Sequence, residues 1–283
     1  MKKTRLAVAG TIVLFLFLGL GNLFAQSAED SKFQKLLESY LDEYWKFYPT
    51  AATLAGYYKY NDKLEDPSSS NVDKRDETLK KFNGEMIKID RSKLSAENQQ
   101  ALNILFDQLD LEFVKLENTL PWEYNPLFYN DIIINSVHAL LTKDFAPIDT
   151  RIKSATERVK LIPGLIKRAK NELKTPAQAY TETAIKQMGY IIDFYRNEVA
   201  GLVASASDAN KQLFLAEVNK MIPALEDYRQ YLKSELLPKS TGNFRLQDAH
   251  RRMIQRLSGA AISQEELISR ATSEVKAIRM EML

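Results

Sequence analysis

Histidine and cysteine, which often bind metals or take part in catalysis, are scarce in this 283-residue sequence. It contains two histidines, His138 and His250, and no cysteine. A zinc peptidase motif needs two histidines four residues apart on one helical face, with a glutamate directly after the first. Neither histidine has this spacing, and the chain lacks nucleophile-elbow, phosphate-loop and dinucleotide-binding motifs. The sequence therefore predicts no catalytic, cofactor-binding or metal-binding residue.

The isolated titratable side chains are predicted to have structural positions. His138 lies in an apolar run, and we expect it to be buried or half-buried with its hydrogen bonds satisfied. His250 lies among arginines, which is typical of a surface residue. Asp107, Asp110 and Glu112 could serve acid–base chemistry. Because their helix carries a clean apolar stripe, we expect these three carboxylates on its solvated face.

Clustered aromatic residues are the compositional feature that suggests a ligand. One cluster lies between residues 40 and 60, and a second lies between residues 122 and 129. Ordinary packing where helices cross is the favoured interpretation, but such side chains can also line a groove for peptide or glycan. The candidate groove residues are Trp45, Tyr48, Tyr57, Tyr58, Trp122 and Tyr124.

Helical periodicity dominates the sequence and predicts an all-α protein, with antiparallel neighbouring helices in a single body. Apolar residues at 102–120 recur every three or four positions, which places them on one helical stripe. Pro163 and Pro223 fall inside two long predicted helices and should kink them. Residues 65–71, with one proline and three serines, predict the most mobile loop. The patterns predict about nine helices, over 30–48, 72–90, 95–118, 126–142, 147–173, 176–201, 207–236, 244–258 and 263–283.

Two helix starts carry capping signatures. Thr175, Pro176 and Gln178 fit an N-cap, a first-position proline and a capping-box partner. Ser263 and Glu266 have the spacing of a second capping box.

The N-terminal segment indicates export. Three basic residues among the first five precede an uncharged apolar stretch over 6–24, and a polar run follows Ala25. This order predicts a signal peptide over 1–25, cleaved after Ala25, and a periplasmic or secreted mature protein. The alternative is an uncleaved anchor, because the apolar stretch approaches the length of a spanning helix. Only through that segment, if it is uncleaved, would the chain contact a membrane.

The charge balance argues against nucleic-acid binding. The chain has 39 basic and 37 acidic residues, and both signs are interleaved along most predicted helices. Proteins that bind nucleic acid usually present a clustered basic surface.

The last predicted helix keeps its apolar face to the final residue, without a Gly or Pro stop signal. This pattern favours a helical domain over 29–283 that is truncated at its C-terminus. An exposed apolar face that includes Val275 and Ile278 would then promote self-association.

Several segments together resemble one bacterial family. They occur in order over 48–56 (Tyr-Pro-Thr-Ala-Ala-Thr-Leu-Ala-Gly), 60–66, 89–95, 125–127, 158–163, 173–176, 228–238 and 242–244. From about Phe33 to the end, the chain resembles the family called domain of unknown function 885. Many members of that family carry a His-Glu-x-x-x-Gly-His-type zinc motif in their C-terminal half and look like distant relatives of helical zinc peptidases. In that design zinc activates a water molecule for attack on a peptide carbonyl.

The resemblance implies a function for the whole protein, but it assigns no zinc ligand or catalytic glutamate to any residue present here. The leading hypothesis is a non-catalytic N-terminal half of an exported zinc-peptidase-like hydrolase. These helices would form one wall of a peptide-substrate channel and would be inactive alone, with zinc expected only in the C-terminal half of intact relatives. The alternative is a complete exported helical binding module for peptide or glycan.

Overall fold

The computed structural model describes residues 27–245, 253, 254, 257 and 262–282. Within them, regular structure is helical apart from one isolated bridge between Ala177 and Thr241, which confirms the all-α fold class. The predicted signal peptide over 1–25 with its predicted cleavage after Ala25, His250, and most of the helix predicted over 244–258 lie outside the described residues. The helices are α1 (Ala28–Phe47), α2 (Pro49–Ala55), α3 (Ser69–Met86), α4 (Ala96–Val114), α5 (Pro121–Tyr124), α6 (Leu127–Asn135), α7 (His138–Thr142), α8 (Ile148–Glu172), α9 (Gln178–Asp193), α10 (Val199–Leu202), α11 (Asp208–Tyr231) and α12 (Gln264–Glu281).

Nine of these described helices have seven residues or more, in agreement with the predicted number. Short π-helical segments extend α4, α9 and α11 by about one turn, over Lys115–Thr119, Phe194–Glu198 and Leu232–Leu236.

Helices α1, α3 and α4 form a first three-helix unit. At the start of α1, the Asp30 carboxylate accepts hydrogen bonds from the Ser95 amide (2.9 Å) and the Asn98 side chain (2.7 Å) at the start of α4. At the other end, Tyr48 bonds to Glu112, so α1 and α4 run parallel while α3 runs back between them. The unit's core consists of Phe33, Leu36, Tyr40, Leu79, Phe82, Met86, Ile89, Leu94, Leu102, Leu105 and Leu109.

Helices α8, α9 and α11 form the second unit. Asp149 bonds to Asn210 at the starts of α8 and α11 (2.8 Å), and Lys170 pairs with Asp227 near their ends (2.6 Å), so these two helices run parallel. Helix α9 packs against α11 and runs antiparallel to it, because Thr181 near the start of α9 bonds to Ser240 beyond the end of α11 (2.7 Å). The second core joins residues of this unit with Trp122, Tyr129, Ile133 and Leu140 from α5 to α7, and half-buried Leu116 packs against both cores.

Arg158 on α8 is fully buried and fastens α2 and the following loop to the second unit. Burial lowers the pKa of its guanidinium to about 10, which leaves it charged at neutral pH. Every bond it makes is to a neutral oxygen: the carbonyls of Lys63 (2.8 Å), Ser136 (3.2 Å), Pro49 (2.8 Å) and Tyr60 (3.2 Å), and the Thr53 hydroxyl (2.8 Å).

Arg158 also explains one difference from the predicted helices. The single helix expected over 126–142 is broken into α6 and α7 around Ser136 and Val137. The Ser136 carbonyl accepts from Arg158, and the Ser136 hydroxyl bonds to the Ile133 carbonyl (2.7 Å). These contacts favour a break in the helix at a site where hydrophobic periodicity alone predicts one continuous helix.

The loop predicted over 65–71 is shorter and more buried than expected. Glu65 is 6% exposed, Pro67 is also buried, and Ser69 already begins α3. Pro163 and Pro223 lie inside continuous helices on exposed positions, and the kinks remain a prediction.

The two capping predictions have opposite outcomes. The Ser263 hydroxyl accepts from the Glu266 amide (3.1 Å), which confirms that N-cap. The Thr175 prediction is wrong, because α9 begins only at Gln178 with Ala177 as its N-cap. The preceding segment instead pairs with the chain near Gly242, whose amide donates to the Pro176 carbonyl (3.0 Å).

Helix α12 has no buried residue. Its apolar side chains Leu267, Ile268, Val275 and Ile278 are 37–57% exposed. No helix in the described part of the chain is long and apolar enough to cross a membrane.

Arg158→Met should lower the free energy of unfolding by about 3–5 kcal/mol, because five buried acceptors lose their donor. Urea unfolding followed by circular dichroism measures this loss. The matched control is Lys167→Met on the exposed face of α8, which should change stability by less than about 0.5 kcal/mol. Equal effects of the two substitutions would contradict the fastening role of Arg158.

Candidate functional site

A pocket whose empty space, including its opening to solvent, is about 320 Å³ lies where the first three-helix unit meets α5 and α6. Aromatic rings come from the end of α1 and from α5 and α6, and polar side chains come from the loop before α3 and from α3 itself. The lining residues are Phe47, Tyr48, Glu65, Asp66, Pro67, Asn71, Val72, Arg75, Trp122 and Phe128.

A buried ion pair between Arg75 on α3 and Glu112 on α4 forms one edge of the pocket. The two side chains are 9% and 3% exposed. One Glu112 oxygen accepts from Arg75 and from the Tyr48 hydroxyl (2.8 Å), and the other accepts from Lys115 (2.7 Å). The Tyr48 hydroxyl in turn accepts from Arg75. Because both carboxylate oxygens already have donors, Glu112 is not free to act as a general base.

Tyr48 is held by cations as well as by hydrogen bonds. The Arg75 guanidinium lies 4.4 Å from the centre of the Tyr48 ring, and the Lys115 ammonium lies 5.2 Å from it. The same guanidinium lies 5.9 Å from the Phe47 ring. Such cation–π contacts orient both rings, so that they form a fixed wall of the pocket.

The charges of this cluster lie in a weakly solvated environment. Burial raises the pKa of the Glu112 carboxyl, and the Lys115 ammonium opposes this shift. Burial also lowers the pKa of Arg75 to about 10, so the guanidinium remains charged at neutral pH. Next to the pair, burial raises the pKa of Tyr44, and the Glu112 carboxylate adds to that shift.

Glu65 contributes a second buried carboxylate to the pocket. It is 6% exposed, and one of its oxygens accepts from the Thr50 amide (3.0 Å) and the Thr50 hydroxyl (2.6 Å). Its other oxygen, Oε2, is buried and has no hydrogen-bond partner in the described structure. Burial raises the pKa of this carboxyl, while the bonds from Thr50 act against the shift. Such an unsatisfied buried acceptor is unusual in a folded protein.

Two of the six sequence candidates, Tyr48 and Trp122, meet in this pocket and bring the two aromatic clusters together. Trp122 is 4% exposed and belongs to the second core as well.

The other four candidates lie elsewhere. Trp45 is buried and stacks with Tyr57 at 6.4 Å between ring centres, and the Tyr57 hydroxyl donates to Asp42. Tyr58 stacks on Phe145 at 3.8 Å. Tyr124 is exposed, with the Lys174 ammonium 6.0 Å from its ring. None of these four side chains lines the pocket.

Two positional expectations are wrong. Glu112 is buried rather than solvated, because it is the partner of Arg75. His138 is exposed at the first position of α7, since the break after α6 turns it out of the apolar run. Asp107 and Asp110 are half-buried rather than on a fully solvated face. Among the described residues, no group of three or more histidine, aspartate or glutamate side chains is arranged to hold a metal ion.

Sequence reasoning missed Arg75, Glu112 and Glu65, although a signal exists for the first two. Arg75 falls on the apolar spacing of Val72, Leu79 and Phe82 along α3. Glu112 falls likewise on the stripe of Leu105, Leu109 and Leu116 along α4. Opposite charges on the apolar faces of two adjacent helices indicate a buried pair. Glu65 carries no comparable signal, because it lies in an irregular loop.

Replacing only one member of the Arg75–Glu112 pair should lower the free energy of unfolding more than replacing both. Arg75→Met should cost about 3–5 kcal/mol of unfolding free energy, because it leaves a buried carboxylate without its guanidinium. The double variant Arg75→Met with Glu112→Leu should recover part of that loss, as measured by urea unfolding.

The exposed Asp76–Lys80 pair on the same helix supplies the control. Lys80→Met should change the free energy of unfolding by less than about 0.5 kcal/mol. A double variant less stable than Arg75→Met would contradict the coupling between the two buried charges.

Known proteins were compared with this chain by sequence and by fold. No curated protein matches the chain. A solved structure from Shewanella oneidensis, described as a presumed lipoprotein of unknown function, shares the fold with a TM-score of 0.75 and 20% sequence identity. The match covers 88% of this chain and 46% of that one, so this chain spans less than half the length of its structural relative.

The family resemblance seen in the sequence is confirmed. Residues 49–283 match the family described as "Bacterial protein of unknown function (DUF885)", which is most of the chain. The protein therefore belongs to the DUF885 family.

Proposed function

We propose that this helical body is the non-catalytic N-terminal half of an exported zinc-peptidase-like hydrolase and forms one wall of its peptide-binding channel. The observation that carries the proposal is the pocket in which Tyr48 and Trp122, from the two aromatic clusters, meet beside the Arg75–Glu112 pair. Concave sites with aromatic walls and a few convergent polar groups are typical of ligand binding.

The chemistry of the pocket favours binding over bond cleavage. Glu112 is engaged by Arg75, Tyr48 and Lys115, and so has no oxygen free to take a proton from a nucleophile. The described residues do not fit a zinc site, and no step of hydrolysis is assigned to them. Their proposed role is to bind and position peptide.

The size of the structural relative and the exposure of α12 are consistent with a larger intact protein. That relative is more than twice as long as the matched region, and the apolar side chains Leu267, Ile268, Val275 and Ile278 of α12 are exposed. In a longer protein, further residues would bury this face. Export to the periplasm or the medium is proposed from the N-terminal segment, and the description of the relative as a lipoprotein supports an envelope location.

The second candidate is a complete exported module that binds peptide or glycan through the same aromatic pocket. Reading the genomic sequence beyond the codon for Leu283 separates the two. A continuing or adjacent frame with a His-Glu zinc motif favours the hydrolase half, whereas a stop followed by unrelated sequence favours the module.

A peptide library incubated with the purified chain and added zinc should bind without being cleaved. Fluorescence anisotropy measures the binding, and chromatography of the same mixtures measures the cleavage. Phe128→Ala should weaken binding about 5- to 10-fold, because it removes one wall of the pocket. Tyr190→Ala, which truncates an exposed tyrosine on α9, should leave the affinity unchanged. Robust turnover by this chain would overturn the assignment as a non-catalytic half.

Light scattering should show concentration-dependent self-association of the isolated chain, driven by the exposed face of α12. Replacing Val275 and Ile278 by lysine should reduce the association, whereas Lys276→Glu on the same helix should have little effect. A clean monomer at high concentration would contradict this expectation.

A further inference from the structure

We propose that the pocket binds a primary ammonium group, of the kind found at the amino end of a peptide and at the tip of a lysine side chain, with Glu65 as its acceptor. This inference rests on the proposed binding function and adds the chemical class of the group that enters the pocket. It is carried by the coincidence of a lining carboxylate that has one oxygen without a hydrogen-bond donor and a set of aromatic rings around the same space.

One oxygen of Glu65 is buried and has no donor in the described structure. Both bonds from Thr50 go to Oε1, and Oε2 has none. The nearby Arg158 influences Glu65 electrostatically, but its hydrogen bonds go to backbone carbonyls and the Thr53 hydroxyl. A buried acceptor without a donor costs free energy that a ligand N–H group can recover.

The other charged residues that line the pocket are paired or exposed to solvent. Arg75 pairs with Glu112, and Asp66 Oδ1 pairs with Arg168 (3.2 Å) and accepts from the Ser68 amide (3.1 Å). The Asp66 side chain is 42% exposed, so water can serve its other oxygen. Among the buried charged side chains that line the pocket, the acceptor without a donor in the described structure is therefore Glu65 Oε2. The partner that it fits is a cation or another hydrogen-bond donor, whereas an anion would meet repulsion from this carboxylate.

The aromatic rings favour a cation among these donors. The faces of Tyr48 and Phe47 already interact with Arg75, which shows that this environment accommodates positive charge. Trp122 and Phe128 supply two further rings, and indole is the strongest of the common side chains in cation–π contacts. A guanidinium from the chain thus occupies one side, and the proposed ammonium would occupy the other.

The volume limits how much of a ligand can enter. The part of the pocket that admits the centres of water-sized groups is only about 20 Å³, which is room for one or two such groups. An ammonium group is of that size and fits this space, while the rest of a peptide would remain outside along the channel wall. The pocket would therefore select the end of a peptide or a single side chain.

Isothermal titration calorimetry with four ligands tests the proposal. The ligands are trialanine amide with a free amino end, the same peptide N-acetylated, N-acetyl-lysine amide, and a neutral disaccharide. The free-amine peptide or the lysine derivative should bind at least 10-fold more tightly than the acetylated peptide. Comparing the two amines distinguishes an amino-end site from a lysine site.

The variant Glu65→Gln preserves the shape of the side chain and its bonds from Thr50, and should weaken amine binding at least 10-fold. Glu157→Gln, which neutralises an exposed carboxylate on α8, is the matched control and should bind like the unmodified protein. Circular dichroism verifies that both variants fold.

The remaining outcomes distinguish a failure of the ammonium site from a failure of the proposed peptide-binding function. Equal binding of free and acetylated peptide, unaffected by Glu65→Gln but weakened by Phe128→Ala, would overturn the ammonium site and leave the peptide-binding function standing. Binding of the disaccharide alone would overturn the ammonium site and favour the glycan module. Absence of binding by all four ligands would overturn both, since Oε2 would then be satisfied by its own proton or by water.

Discussion

The ion pair between Arg75 and Glu112 is the constraint on which the pocket depends. Removing both charges from water is costly, and the cost is met only when several partners converge on them. Here Tyr48 and Lys115 complete the set, so the end of α1, the first turns of α3 and the end of α4 must meet at one place. The aromatic wall of the pocket is built from the same contacts, because the guanidinium also lies against the Tyr48 and Phe47 rings.

A second buried guanidinium fixes the part of the pocket that contains Glu65. Arg158 binds the carbonyls of Pro49, Tyr60 and Lys63, and thereby holds the segment that leads directly into Glu65. One arginine thus orients the aromatic wall, and the other holds the segment that carries the Glu65 carboxylate. Arg75 acts within the first three-helix unit, whereas Arg158 joins the segment over 49–63 to the second unit, and the pocket lies where these parts of the chain meet. A binding surface at that junction is consistent with a protein whose charged residues serve positioning rather than bond cleavage.

Local patterns predicted the helical framework well. The stripe from Leu102 to Leu109 forms the first core, and Ser263 caps its helix as its spacing indicates. Such features depend on residues within one or two turns of each other, and are therefore visible in the sequence. The family assignment likewise follows from ordered local segments, and the comparison confirms it.

The predictions that are wrong concern residues whose positions depend on contacts between distant segments. The pattern of α4 alone predicts a solvated position for Glu112, because it does not include the partner 37 positions earlier, Arg75. The break before His138 follows from the Ser136 carbonyl, which Arg158 takes from another helix. Thr175 does not cap α9, because its neighbour Pro176 pairs with Gly242. Helical periodicity contains no information about such pairings, although a charge on an apolar stripe signals that one exists.

The two tryptophans allow the most direct measurement of where a peptide binds. Trp122 lines the pocket, whereas Trp45 is buried beside Tyr57 outside it. In a nitrogen-15 NMR titration, each indole N–H gives its own resonance. The account predicts that added free-amine peptide shifts the Trp122 resonance in a saturable manner and leaves the Trp45 resonance in place. A shift of the Trp45 resonance alone, or no shift of either one at saturating peptide, would contradict it.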